Sequence, residues 1–197
     1  MNIDAQILLW INNHYCEWLD SVMWGISRAS TWILLYVILV GLIVYKYRNW
    51  KAVLFILIGF GVAVGLSDYT CSGILKPLVC RLRPTHEPTL AGMVHLVKGY
   101  TGGLYGFCSS HAANTMAVGL LFSLLYRNKI ATSILMVWVA LNCYSRMYLG
   151  AHYPTDILCG LLIGSAWSLL IFVLLQRLVL KPSSLHADGE AARQGDS

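Results

Sequence analysis

The stretch Arg146 to Leu180, RMYLGAHYPTDILCGLLIGSAWSLLIFVLLQRLVL, decides the fold class of this chain. From Pro154 onward it is an apolar run with a carboxylate, Asp156, near its start and Arg177 near its end. Such a run is long enough to cross the roughly 30 Å hydrocarbon core of a bilayer as one helix. Ahead of it lie an arginine and a histidine. Ionisable groups at membrane depth cost free energy unless they face a cavity or one another, so the head of this helix is a candidate site.

The rest of the chain agrees. Its 197 residues suit one domain. Hydrophobic residues make up 57% and charged residues 12%, with a mean hydropathy of +0.64, a balance that excludes an ordinary soluble domain. The 14 lysines and arginines give a formal charge of +5. They form no basic run or arm, which argues against nucleic acid as a partner. The six cysteines have no CxxC or zinc-ligand spacing and read as small packing residues.

Further apolar runs precede the last one: a helix starting at a cap on Asp20 or Ser21 and ending at Tyr45, then Ala52 to Leu66, His111 to Tyr126, and Ile130 to Tyr144. Asn2 to Leu19 has helical apolar spacing on a half-polar segment and reads as a helix lying at the interface. The fold expected is an all-α polytopic membrane bundle of about five transmembrane helices plus that N-terminal interfacial helix. The domain covers residues 1–181, and 182–197 form a disordered cytoplasmic tail. No segment looks like a cleavable leader and no internal repeat is visible.

Loop charges set the orientation. Lys46, Arg48, Lys51, Arg127, Lys129, Arg177, Lys181 and Arg193 fall on one side, and Arg28, Lys76, Arg81, Arg83, Lys98 and Arg146 on the other. Once Lys76, Arg83 and Arg146 are set aside as site residues, the positive-inside rule makes the first side cytoplasmic.

Three motifs then share the outer face. In Lys76–Pro84 (KPLVCRLRP), Lys76 and Arg83 lie close together; Pro77 and Pro84 bias the residues before them away from α geometry, so the two cations bracket a short helical segment. Arg81 breaks that face and reads as an interfacial cation. In Cys108–His111 (CSSH), a serine N-cap begins an apolar helix whose free N–H groups suit an anion. In Arg146–Asp156, Pro154 suits the first helical turn, which leaves His152 just ahead of the helix and Asp156 inside it. That carboxylate can reach back to the imidazole, fix its tautomer and raise its nucleophilicity.

Together these residues resemble the phosphatidic acid phosphatase type 2 superfamily. Its pattern is Lys, six residues, Arg-Pro; then Pro-Ser-Gly-His; then Ser-Arg, five residues, His, three residues, Asp. Here the pattern runs Lys76, Arg83-Pro84, Cys108-Ser109-Ser110-His111, Ser145-Arg146, His152 and Asp156, with Cys108 in place of proline and Ser110 in place of glycine. The resemblance implies that Lys76, Arg83 and Arg146 neutralise phosphoryl oxygens, helped by Ser109 and the Ser110 amide. It implies that His152 attacks phosphorus and forms a phosphohistidine, with Asp156 supporting the imidazolium and His111 protonating the leaving oxygen. It also implies that no metal or other cofactor is needed.

A site at the outer ends of membrane helices favours a lipid phosphate in the bilayer as the substrate. Small bacterial members of the family act on undecaprenyl pyrophosphate, on phosphatidic acid or phosphatidylglycerol phosphate, or on lipid A, in the inner membrane with the site facing the periplasm or exterior. The sequence does not choose among these lipids, and it leaves the oligomeric state open. The expected determinant of choice is Thr85 to Phe107, which holds His86, Glu87, His95, Lys98, Tyr100 and Gly102-Gly103. His86 and His95 have no convincing further metal ligands at useful spacing. Phosphotransfer to a second lipid through the same phosphohistidine is the nearer alternative. A transporter is the more distant one, for which an internal repeat is expected.

Overall fold

The computed structural model describes residues 1–180; the tail expected at 182–197 lies outside them. Eight helices follow in order: α1 Ile3–Asn13, α2 Glu17–Ile26, α3 Ile33–Tyr47, α4 Trp50–Asp68, α5 Lys76–Val79, α6 Ser110–Tyr126, α7 Lys129–Tyr148 and α8 Pro154–Leu175. Four segments have the length and apolarity to span a bilayer: Ala29–Tyr47, Trp50–Val79, Lys129–Tyr148 and Pro154–Leu180. The fifth long helix, α6, runs through their middle. It packs most extensively on α8, then on α7 and α4. The main core is built around it from Ala117, Leu121, Phe122 and Leu125, with Ile56 from α4, Leu135 and Trp138 from α7, and Ile171 from α8.

Glycines permit the α6/α8 approach. A Cβ on Gly160 would overlap the Ser109 carbonyl, and one on Gly164 the Ala113 carbonyl. Close backbone approach through small residues is a common way for helices to associate where lipid tails remove the hydrophobic drive.

The N-terminal segment differs from the sequence reading. Asn2–Leu19 does not form one helix: α1 ends at Asn13, and Cys16, in extended geometry, caps the start of α2 at Glu17. The break lets Tyr15 stack on His95 with ring centroids 3.6 Å apart. Asp20 and Ser21 lie inside α2 and cap nothing. Asp20 is engaged elsewhere, accepting from Tyr148 Oη at 2.6 Å and pairing with His95 Nε2 at 2.9 Å. The first spanning helix begins with the tight turn Ala29–Trp32. There Thr31 Oγ1 and Trp32 Nε1 donate to the carbonyls of Gly25 and Ile26, supplying partners that the end of α2 lacks.

Pro77 does not push Lys76 out of helical geometry, since Lys76 has φ −60° and ψ −50°. The chain from Tyr69 to Leu75 winds as a π-helix, and the Lys76 N–H bonds back to the Cys71 carbonyl, five residues earlier. That wider winding relieves the clash a proline ring makes with the preceding turn. The apolar run of α4 therefore continues to Val79.

The long stretch after Pro84 is a chain of tight turns, Pro84–His86, Pro88–Leu90 and Val97–Gly99. It is docked by buried Leu90 against Ala5, Leu8 and Leu9 of α1, and by Val97 against Ile11, Met23 and Tyr148.

Candidate active site

The head of α8 sets the centre. Proline follows Tyr153, which is extended at φ −72° and ψ 158°. His152 is thereby held outside the helix while Asp156 sits in its first turn. The Tyr153 N–H donates to Asp156 Oδ2 at 3.0 Å, and His152 Nδ1 lies 3.6 Å from the same oxygen. The reach-back read from the sequence is present in direction but is longer than a hydrogen bond. On the other side of the ring, Arg83 Nη1 is 3.4 Å from His152 Nε2. A guanidinium only donates, so Nε2 offers a lone pair and the ring proton sits on Nδ1 toward Asp156. Burial, followed by the charges of Arg83, Arg146 and Lys76, holds the His152 pKa well below the ordinary histidine value. The ring is neutral, with its Nε2 lone pair facing the Arg83 guanidinium.

Three cations surround it. Arg83 begins the turn after α5 and is anchored by donation to the carbonyls of Tyr105 and Ala151, each at 3.2 Å. Glycines leave room for it: Gly102, at φ +69°, and Gly106 would each bring a Cβ within 3.2 Å of the Arg83 side chain. Arg146, at the end of α7, donates to Ser27 Oγ and, at 2.9 Å, to Tyr100 Oη. Its Nε is buried without a partner, a donor that an anionic oxygen would satisfy. Lys76 Nζ donates to Ser110 Oγ at 3.0 Å and Ser72 Oγ at 3.2 Å.

The head of α6 closes the site. Ser109 is the N-cap, its Oγ accepting from the Ala112 N–H, and its own N–H donates to the Asp156 carbonyl at 3.0 Å. Ser109 and Asp156 are thus fixed to one another through the backbone. Among the described residues, the amides of Ser110 and His111 have no partner, as the first turn of a helix requires. The extra hydroxyl of Ser110 turns toward Lys76 and Ser72. His111 Nε2 donates to the Ser27 carbonyl at 3.0 Å.

All eight residues singled out by sequence (Lys76, Arg83, Ser109, Ser110, His111, Arg146, His152 and Asp156) converge at one end of the bundle. Arg81 is a correction. It donates to Asp156 Oδ1 at 2.9 Å and pairs with Asp4 of α1, while its guanidinium lies 3.9 Å from the Tyr153 ring centre. It is a partner of the site carboxylate. Asp4 in turn accepts from the Thr155 N–H at 3.0 Å. Ser27, which the sequence did not single out, and Tyr100, read there only as part of the stretch that chooses the lipid, both orient Arg146. His86 and His95 do not come together as ligands: His86 meets Thr85, and His95 belongs to the Asp20 pair. Among the described residues no group of three His, Cys, Asp or Glu could hold a metal ion, and the six cysteines are unpaired, with Cys71, Cys108 and Cys143 buried.

A multi-pass membrane bundle with a neutral histidine, three cations and two helix heads at one end is built for the chemistry of a phosphate ester. Residues 56–180 match the PAP2 superfamily. The chain is 32% identical to the lipid A 4'-phosphatase of Bacteroides thetaiotaomicron over 93% of its own length and 81% of that protein's. It is 34% identical to the lipid A 4'-phosphatase of Porphyromonas gingivalis over 83% of this chain and 69% of that one. The crystal structure of a transmembrane PAP2-type phosphatidylglycerolphosphate phosphatase from Bacillus subtilis shares the fold, with a TM-score of 0.65 and 24% identity, covering 89% of this chain and 85% of that one. The chain belongs to the PAP2 superfamily and is a membrane phosphatase.

Proposed function

We propose that this protein removes a phosphate monoester from a membrane lipid, with the 4'-phosphate of lipid A the best-supported substrate, at a site on the periplasmic side of a bacterial inner membrane. The observation that carries the reading is the His152 ring, with the Nε2 lone pair facing Arg83 and Nδ1 toward Asp156. Nε2 attacks phosphorus as the bond to the leaving sugar oxygen breaks. Arg83, Arg146 and Lys76 take up charge on the phosphoryl oxygens, with the free amides at the head of α6. Asp156 supports the imidazolium, itself held by Arg81 and the Tyr153 amide. His111 has its Nε2–H on the Ser27 carbonyl; entering the step as the imidazolium, it delivers its Nδ1 proton to the leaving oxygen, and Nδ1 then takes one back from the attacking water. Water displaces His152 from phosphorus and releases inorganic phosphate.

The choice of lipid A rests on the two relatives above, which match along most of this chain. The sidedness rests on the loop cations. The test is phosphate release from purified lipid A in excess EDTA. Release that persists, together with an acid-labile phosphoprotein on brief quenching, supports the reading. Release that needs added Mg²⁺ or Zn²⁺ overturns the mechanism.

A further inference from the structure

Beside the site lies a second chamber that the chemistry above does not use. It is a cavity of about 330 Å³ between α3, α4, α6 and α7, bordered by His111 and Ser27 and walled by Trp32, Tyr36, Asn114 and Asn142. That volume falls within the roughly 300–1,000 Å³ range of small-molecule sites. A larger groove, of about 440 Å³ between α4 and α8, holds Lys51 and Phe55 at the opposite end of those helices and no motif residue.

The wall of the chamber has a chemical preference. Asn114 stands one turn beyond His111 on α6, and its Nδ2 donates to Asp68 Oδ1 of α4 at 3.2 Å. A carboxylate only accepts, so this contact fixes which end of the amide faces Asp68. Asn114 Oδ1 is left buried with no partner. The only groups that satisfy it are donors, O–H or N–H. The oxygen on which His111 acts belongs to the leaving group, so the leaving group is what lies next to this chamber.

We infer that this chamber is a leaving-group subsite in which Asn114, oriented by Asp68, accepts a hydrogen bond from a hydroxyl or amide of an amino-sugar lipid. The inference rests on the phosphatase reading above and names the residues that select the lipid. An acylated glucosamine carries both hydroxyl and amide donors. Phosphatidic acid leaves as a diacylglycerol whose remaining oxygens are ester acceptors, undecaprenyl pyrophosphate leaves as a phosphate, and phosphatidylglycerol phosphate offers a single hydroxyl. Trp32 and Tyr36 give the sugar's apolar face a surface to lie against.

The test measures kcat/KM on lipid A, phosphatidic acid and phosphatidylglycerol phosphate for the wild type, Asn114→Leu and Asp68→Asn. Asp68→Asn keeps the shape but lets either end of the Asn114 amide face α4, which provides a reading if Asn114→Leu fails to fold. The ratio of lipid A to phosphatidic acid turnover should fall at least tenfold in Asn114→Leu and severalfold in Asp68→Asn. An unchanged ratio in folded variants overturns the inference, as does a wild-type preference for either glycerol lipid; both leave the phosphatase reading standing. A wild type that releases phosphate from none of the three overturns that reading, and this inference with it.

Discussion

His152 brings two properties together at one residue: burial, and an Nε2 lone pair turned to Arg83, the atom proposed to attack. His152→Ala should lower phosphate release by at least about a thousandfold, with the protein still extracted from the membrane as a folded species; near-normal turnover would remove it as nucleophile. Because its folded pKa is depressed, the native state binds fewer protons than the unfolded chain once pH falls below the ordinary histidine value of about 6.5. Stability is therefore present above that pH and is lost below it, with a slope of up to about 1.4 kcal/mol per pH unit. Thermal unfolding in detergent between pH 7 and 5 should show a steeper loss for the wild type than for His152→Gln. Arg81→Gln should lower kcat about tenfold and leave KM within about twofold, since Arg81 touches Asp156 and not the phosphate subsite, whereas Arg146→Gln should raise KM. The motif residues were legible because the proposed phosphate chemistry calls for their types and helix starts dictate their spacing. Arg81 and Ser27 were not: the partners of Arg81 include Asp4, and those of Arg146 include Ser27, pairings across long stretches of chain that no local spacing reports.

At the level of elements, the apolar runs found the five long helices, because burial in lipid demands length and hydropathy and both are written locally. The boundaries that failed were set by tertiary partners. The α1/α2 break follows Tyr15 onto His95, and the continuation of α4 through Pro77 follows the wide winding ahead of it. The α6/α8 seam gives a prediction with an internal control. Gly160→Val drives a side chain into the Ser109 carbonyl and should cost about 1–3 kcal/mol together with most of the activity. Gly61→Ala, on the same bundle with nothing within 4 Å of the added carbon, should leave melting temperature and turnover near wild type. Equal behaviour of the two variants in thermal unfolding would mean that the seam is not close-packed.

For the whole molecule, aromatic side chains stand exposed at both ends, Trp10, Tyr15 and Trp18 on the site side and Tyr45 and Trp50 on the other, as belts at two membrane surfaces do. In a background cleared of the six cysteines, Leu104→Cys should react with a membrane-impermeant thiol reagent in intact spheroplasts, and Lys51→Cys only after the membrane is opened; the reverse pattern would put the site in the cytoplasm. The docking of the turns after Pro84 bears on how such enzymes can be recombined. Asn12 of α1 accepts from the His95 N–H and donates to the carbonyls of His95 and Tyr148, and Asp20 of α2 holds the His95 ring. The shape of this segment is thus stored in the first two helices, some eighty residues upstream of it. A chimera that transplants Thr85–Phe107 alone between two family members would inherit a part without its mould, and the unit to exchange is that segment together with α1 and α2.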